Sequence, residues 1–364
     1  TMANNLIFMT GATGVLGQEL VKELLLTTDA TIAILSRAKN RVPHDERVQK
    51  ILKATGMDAH FGSRVRVLEG DVTRSKFGLK KSDLDLLERD CKVFYHIAAL
   101  TALNGTEKEC QEINVGGTKN ALELAWDLRK KGLLERFVYF STAFVAGSVW
   151  HYRSPEDSLP EKPAFANYYE SSKHQAEGMV REAMSQGMPV TIIRPSIVVG
   201  HSETGEVSDF NVIYPFIKLF AHGILTKLPT RPENTFNIVP IDFVIKATAA
   251  IMRNPRSINK CFHLVAPNPP AIGMLLSLRD AFPKSAVIEM VEPSSFQKTQ
   301  LDPQQQMVFA MLEPYLGYLN GDLTFDTKNT EEILRGTGIK MPVTDLAFLK
   351  TLITYAVKSG YLVI

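Results

Sequence analysis

The chain has 364 residues, 45% of them apolar and 22% charged, with a net charge of +2 at pH 7. That length holds one large α/β domain or two unequal ones, and the composition is that of a globular protein whose core needs no covalent staples. So mild a charge balance, without a run of lysine or arginine, excludes nucleic acid as the expected partner, and no apolar run reaches the length of a membrane-spanning helix.

The three cysteines, Cys91, Cys110 and Cys261, are sparse and odd in number. They argue against a disulfide framework, show no metal-ligand spacing and point to a reducing compartment, so no metal is expected. The start "TMANNLIFMT" lacks the basic flank and the long apolar run of a signal peptide. A cytoplasmic location is therefore expected.

In chain order, "LIFMT" (6–10), "TIAILS" (31–36), "VRVLEGD" (65–71), "VFYHIA" (93–98), "RFVYFS" (136–141) and "VTIIRP" (190–195) read as buried strands. Helical patterns alternate with them at 15–26, 109–130 and 169–185. Near-continuous apolar strands alternating with helices predict a doubly wound parallel sheet, an α/β fold. After residue 200 the pattern changes. Residues 201–236 show no clean strand, with an apolar helix around 211–225. "NIVPIDFV" and "CFHLV" (261–265) return to the sheet, and the remainder is mainly helical. The expected organisation is a core of 1–200, rejoined by 237–266. A smaller, mostly helical substrate-side lobe would be made of 201–236 and 267–364.

"MTGATGVLGQEL" places Gly11, Gly14 and Gly17 between the first strand and the first helix. In that context they serve a tight turn, close approach of backbone to a pyrophosphate, and close strand–helix packing. The diphosphate would sit at the positive end of the helix. Thr10, Thr13, Val15 and Leu16 belong to the same candidate cofactor site. About 20 residues further on, an NAD site carries an acidic residue on the ribose. This chain has "SRAKNR" instead. Ser36, Arg37 and Arg41, with Lys39, suit the 2′-phosphate of NADP, a solvated basic loop being the alternative. Asp71 and Val72 are placed to meet the adenine, and the small Ala98 and Ala99 end a strand where backbone would lie near the cofactor.

The fifth strand ends in Ser141 and Thr142, at the edge where open α/β sheets bind ligands. Tyr169 and Lys173 are four apart and share one helix face. Tyr168 competes for the role but is five from Lys173. A neighbouring ammonium lowers a phenol's pKa, and such a Tyr is able to protonate a carbonyl oxygen as hydride reaches its carbon. Thr142 would bond the same oxygen, and Lys173 would also hold the nicotinamide ribose.

"TGATGVLG", "GDVT", "HIAA", "INVGGT", "FSTAFVAG", "YYESSK", "RPSIVVG" and "VPIDFV", spread over roughly 5–245, resemble the extended short-chain dehydrogenase/reductase family. The resemblance implies a Rossmann-type sheet. It also implies that Asn114 helps to order the catalytic group, and that Arg194 and Pro195, with Ser196 and Ile197, line the nicotinamide end. "STAFVAG" with "RPSIVVGHSETGE" is most similar to the fatty acyl-CoA reductase and thioester reductase branch. That branch reduces a CoA- or carrier-protein-bound acyl group with NADPH to an aldehyde, and in some members to an alcohol. Within the wider family the alternatives are a ketone or hydroxysteroid oxidoreductase, a nucleotide-sugar epimerase or dehydratase, and a non-catalytic NADP-binding regulator. A homodimer is the candidate assembly. Phe210, Ile213, Tyr214, Phe216, Ile217, Phe220, Ile224 and Leu225 read either as the wall of an acyl tunnel or as the lobe's own core. Lys218, Lys227 and Arg231 read as phosphate partners or as a solvated face.

Overall fold

The computed structural model describes residues 5–363 apart from 133, 149–151, 162, 280–281, 283, 286 and 321–322. In chain order, β1 (Leu6–Thr10), α1 (Val15–Thr27), β2 (Thr31–Ser36), α2 (His44–Ala54), β3 (Val65–Glu69), α3 (Lys81–Asp90) and β4 (Cys91–His96) alternate. The short α4 (Glu107–Cys110) runs through a π-helical turn, Gln111–Gly116, into α5 (Gly117–Lys130), and β5 (Arg136–Phe140) follows. Next come β6 (Arg153–Ser154), α6 (Tyr168–Ser185), β7 (Val190–Pro195), β8 (Ile197–Val199) and α7 (Ile213–Ala221). They lead to β9 (Lys227–Pro229), β10 (Ile238–Pro240), α8 (Ile241–Arg253) and β11 (Lys260–Leu264). The last stretch holds α9 (Gly273–Leu276), β12 (Glu289–Val291), α10 (Pro303–Leu316), β13 (Thr324–Phe325), α11 (Lys328–Leu334) and α12 (Leu346–Lys358).

Seven strands form one parallel sheet in the order β11-β7-β5-β4-β1-β2-β3. In β1 the side chains alternate between two covered faces, which is why the strand is apolar from Leu6 to Met9. Ile7 and Met9 pack towards α1 and α8, with Leu20, Leu24, Val244 and Ile251. Leu6 and Phe8 pack towards α3, α5 and α6. On that second side Phe8 and Phe94 stand 4.7 Å apart, and Phe94 and Phe137 5.2 Å. The order of strands reverses between β1 and β4, where Thr10 lies opposite His96. Open α/β sheets leave a ligand crevice at such a switch point.

A further apolar cluster joins α7 and the segment around Leu228 and Phe236 to Phe282, Leu312, Leu319 and α12. It gives the smaller lobe a core from two separated stretches of chain. Ile333 and Leu334 of α11 pack instead with the sheet's own helices. Two details differ from the sequence reading. The 201–236 segment does contain a strand, β9, paired in parallel with β12. The 109–130 helix is also interrupted by the π turn. Both depend on tertiary partners that periodicity does not reveal.

The glycine turn has steric reasons for its composition. Gly11 has φ +76°, and a Cβ there would lie 2.4 Å from the Ala98 nitrogen. A Cβ on Gly17 would lie 2.2 Å from the Gly11 carbonyl oxygen and 2.6 Å from Ala12 Cα. Neither neighbour is a flexible side-chain end, so the helix itself would have to move. Gly17→Ala is expected to lower stability by about 1–3 kcal/mol. An unchanged denaturation midpoint would contradict this packing. No helix among the described residues is long and apolar enough to cross a membrane. The three cysteines are buried and free.

Candidate active site

The carboxyl ends of β1 to β5 and β7 open onto one cavity of about 560 Å³. At its nucleotide end, α1 begins at Gly14 with no side-chain cap and no acidic residue in its first turn. Its backbone N–H groups and positive end are therefore left for an anion. A Cβ on Gly14 would meet only the Gly11 carbonyl oxygen, at 3.4 Å, so the backbone there is open to close approach. Thr13, Val15, Leu16 and Gly17 line the same end.

At the end of β2, Ser36, Arg37 and Lys39 line the cavity, with Arg47 from α2. The Arg37 guanidinium donates to the Asp71 carboxylate at 2.7 Å. Arg47 donates to the Arg37 carbonyl at 2.7 Å and to Thr13 Oγ1 at 3.0 Å. Burial and the charge of Arg37 both lower the pKa of Arg47. Asp71 thus pairs with Arg37 alone, and the charge of Arg47 is left without a carboxylate partner of its own, an excess of positive charge that suits a phosphate. Ser36 is buried and spends its hydroxyl on the His44 carbonyl, 3.2 Å away. Asp71 also accepts from the Thr73 N–H and hydroxyl, at 2.9 and 2.8 Å. Its carboxylate is therefore engaged with Arg37 and Thr73, while Val72, Ala98 and Ala99 form apolar wall.

At the other end Thr142, Tyr169, Lys173, Pro195, Ser196 and Ile197 line the cavity together. Thr142 caps the turn after β5, accepting the Phe144 N–H at 3.3 Å, and it shares a hydrogen bond with Tyr169. Asn167 caps α6 by accepting the Glu170 N–H, which fixes where the Tyr169 turn begins. Tyr168 is exposed, which leaves Tyr169 as the inward phenol. Lys173 Nζ donates to the Phe140 carbonyl at 2.6 Å and stands 4.3 Å from the Tyr139 ring centre. The buried Ser196 hydroxyl has no protein partner.

The electrostatics differ from expectation in one respect. Burial pushes Tyr169 up to about 12, against a downward pull from its bond to Thr142. Burial also lowers Lys173 to about 7, opposed by Glu177. Lys173 does not depress Tyr169 here, because a lysine lowered to about 7 carries no charge at the pH where the phenol ionises.

Four side chains from the sequence reading do not line the cavity. Thr10 is buried behind it, bonded to His96 Nδ1 at 2.8 Å and accepting from the Ala98 N–H at 3.3 Å. Arg41 is exposed, on a turn with φ +65° that is closed by the Lys39–Val42 bridge. Asn114 sits on the π turn, accepts the Leu100 N–H at 2.7 Å and donates to Ser172 Oγ at 2.8 Å. It joins the β4 loop to α6 without reaching the cavity. Arg194 is fully buried in the core, paired with Glu177 and far from any cofactor role for its side chain.

The helix around α7 is lobe core: Tyr214, Phe216, Ile217, Phe220 and Leu225 are buried there, and only the preceding Asp209, Asn211 and Val212 reach the cavity. The tunnel is therefore not formed by those residues. Lys227 and Arg231 make exposed ion pairs with Glu289 and Glu292, and Lys218 rests over Tyr361. Arg47 and Tyr318 were not foreseen. The pattern of Val48, Ile51 and Leu52 on one face of α2 held a signal for Arg47, whereas nothing local marks Tyr318.

These features define an NAD(P)-binding protein with a Rossmann-type doubly wound α/β fold. Within that class the chain belongs to the male sterility protein family, whose profile matches residues 9–248. It is 30% identical to the nonribosomal peptide synthetase asaC of Aspergillus flavus over 276 residues, 72% of this chain and 26% of that protein. It is 28% identical to the putative fatty acyl-CoA reductase CG8303 of Drosophila melanogaster over 282 residues, 68% of this chain and 51% of that protein. Among solved structures it is similar to the terminal R domain from the myxalamid PKS-NRPS biosynthetic pathway. That likeness has a TM-score of 0.84 and 27% identity, over 100% of this chain and 92% of the other. The chain thus spans only 26% and 51% of the two curated relatives.

Proposed function

We propose that the chain is an NADPH-dependent reductase that converts an acyl thioester to an aldehyde and a free thiol. The observation that carries this reading is the convergence of Thr142, Tyr169 and Lys173 on one end of a cavity whose other end is the glycine turn with Arg37, Lys39 and Arg47. The relatives, a nonribosomal peptide synthetase and a putative fatty acyl-CoA reductase, support a thioester as substrate.

In this reading the uncapped start of α1 holds the diphosphate, the β2 arginines hold a 2′-phosphate, and Lys173 and the Ser196 hydroxyl face the nicotinamide half. The bound cofactor supplies a hydride. Thr142 and Tyr169 hold the substrate carbonyl oxygen, so that negative charge developing on it is met by two hydroxyl donors in a water-poor site. Tyr169, which stays protonated up to about 12, gives that oxygen its proton. Collapse of the tetrahedral adduct re-forms a carbonyl as the Tyr169 phenolate takes the hydroxyl proton back, and the carbon–sulfur bond breaks, the thiolate leaving and taking up a proton from solvent. The lobe supplies the substrate side through Asn211, Val212 and Tyr318. The thiol half is CoA or a carrier-protein arm.

The test is NADPH oxidation with an acyl-CoA, an acyl-carrier protein, an aldehyde and a ketone. Turnover of a thioester with stoichiometric aldehyde supports the reading, and the count of NADPH distinguishes aldehyde from alcohol as the end product. Turnover of the ketone or aldehyde alone would overturn it. Cofactor choice has its own test. Arg37→Ala and Arg47→Ala are each expected to weaken NADPH binding about 10–100-fold, as loss of a charged hydrogen bond does, with NADH far less affected. Equal loss for both dinucleotides would remove the phosphate assignment.

A further inference from the structure

Ser141 lines the cavity beside Thr142, yet its hydroxyl donates to Glu177 Oε2 at 2.6 Å, on a carboxylate that does not line it. With its proton engaged there, Ser141 does not donate to the reacting oxygen.

The neighbours of this bond show what it does. Three consecutive residues where β5 ends are each tied to α6. The Phe140 carbonyl accepts from Lys173 Nζ at 2.6 Å, the Ser141 hydroxyl donates to Glu177, and the Thr142 hydroxyl shares its bond with Tyr169. Tyr169, Lys173 and Glu177 follow one another at one-turn intervals and so share a face of α6. The strand side is fixed to the sheet, since the Ser141 N–H donates to the Ile193 carbonyl at 2.8 Å. Of the three ties, only the one through Ser141 uses no group assigned to the reaction.

That tie is anchored from several sides. Glu177 and Arg194 are fully buried, and Arg194 donates to the carboxylate through Nε at 3.0 Å and Nη2 at 2.6 Å. Arg181 Nε adds a third bond at 2.7 Å. Arg194 belongs to β7, so Glu177 clamps α6 to both β5 and β7. A hydrogen bond from a hydroxyl to a carboxylate is about twice as strong as one between neutral groups. Side chains locked in this way hold reacting groups in place better than packing alone.

We propose that Ser141 is a positioning residue: through Glu177 it fixes α6 against the end of β5, and so sets how Thr142 and Tyr169 present their hydroxyls to one carbonyl oxygen. This deepens the reductase reading above and rests on it for the identity of that oxygen.

Ser141→Ala removes one donor and leaves both arginines on Glu177. It is expected to lower kcat about 10–100-fold, the worth of a displacement of about 1 Å among reacting groups. NADPH affinity is expected to stay within a few-fold of wild type, because the glycine turn and the β2 arginines lie at the other end of the cavity. Ser141→Thr, which keeps the hydroxyl, is expected to restore most of the rate. In a Thr142→Ala background Ser141→Ala is expected to cost clearly less than in the wild type, since residues acting as one unit are not additive. A near-wild-type kcat in Ser141→Ala, a loss that Ser141→Thr does not restore, or an equal cost in both backgrounds would overturn the proposal. If the wild type turns over no thioester, the reductase reading fails separately. The tie is then read from crystal structures of the wild type and Ser141→Ala. A Thr142 hydroxyl moved out of reach of Tyr169 in the variant supports it, and an unmoved pair refutes it.

Discussion

Replacing Tyr169 with phenylalanine is expected to lower kcat for thioester reduction by about 10²–10⁴-fold, the usual worth of a positioned proton donor. Only an oxygen is removed, from a ring that packs at the start of α6 below an intact Asn167 cap. NADPH affinity is therefore expected to stay within a few-fold of wild type, since the glycine turn and the β2 arginines lie at the other end of the cavity. Single-turnover rates set beside NADPH binding separate the two effects. A variant that kept a near-wild-type rate would pass the donor role to another group, Thr142 being the hydroxyl bonded to Tyr169. Lys173 adds a pH signature. It loses its charge as pH rises through about 7 in the free protein. Any share of the rate that depends on its ammonium should fall above that point, and the fall should vanish in Lys173→Met.

Arg194→Met is expected to cost about 3–5 kcal/mol of stability, because it strands a buried carboxylate. Arg194 donates to Glu177 through Nε at 3.0 Å and Nη2 at 2.6 Å. It also satisfies the Pro155 and Ser158 carbonyls. Burial alone would raise the pKa of Glu177, but Arg194, Arg181 and the Ser141 hydroxyl outweigh it and hold it at about 2. A carboxylate depressed in the fold contributes stability that is complete above its ordinary pKa of about 4 and is lost as pH falls toward 2. In Arg194→Met the depression is smaller, with Arg181 and the Ser141 hydroxyl still bonded to Glu177, so less stability is lost to protonation and acidification below about 4 should narrow the gap to wild type. Denaturation at two pH values measures this. Arg194→Met with Glu177→Leu should recover part of the loss, since an apolar pair leaves no stranded charge. A double variant no more stable than the single one would refute the stranded-charge account.

The parts of the site that lie within one short stretch were legible in the sequence. The glycine turn follows a strand and opens a helix, and the sterics of Gly17 act within seven residues. Tyr169 and Lys173 are one turn apart, and Thr142 ends an apolar run. All line one cavity. Residues whose role depends on a distant partner were not legible. Arg194 carries the same charge in a core ion pair as it would at a cofactor, and only the position of Glu177 on α6 decides between them. Arg41 and Arg47 are both basic and near β2, but the turn at 39–42 leaves the first exposed while α2 brings the second to Thr13. The apolar face of α7 is the same pattern for a tunnel wall and for a core. Packing against α12 and Phe282 made it a core.

The divided core of the lobe has a consequence for the order in which the molecule assembles. All seven strands of the main sheet are complete at Leu264, and the nucleotide end of the cavity draws on nothing later in the chain. α7, by contrast, has its apolar partners in Phe282, Leu312 and α12, from about 60 to about 140 residues downstream. Contacts of that separation form late, after the local βαβ units have closed. The chain is therefore expected to gain its nucleotide groove as an early unit. The wall at Tyr318, more than fifty residues past Leu264, is added to that groove later, where Tyr318 meets Phe144 and Asn167.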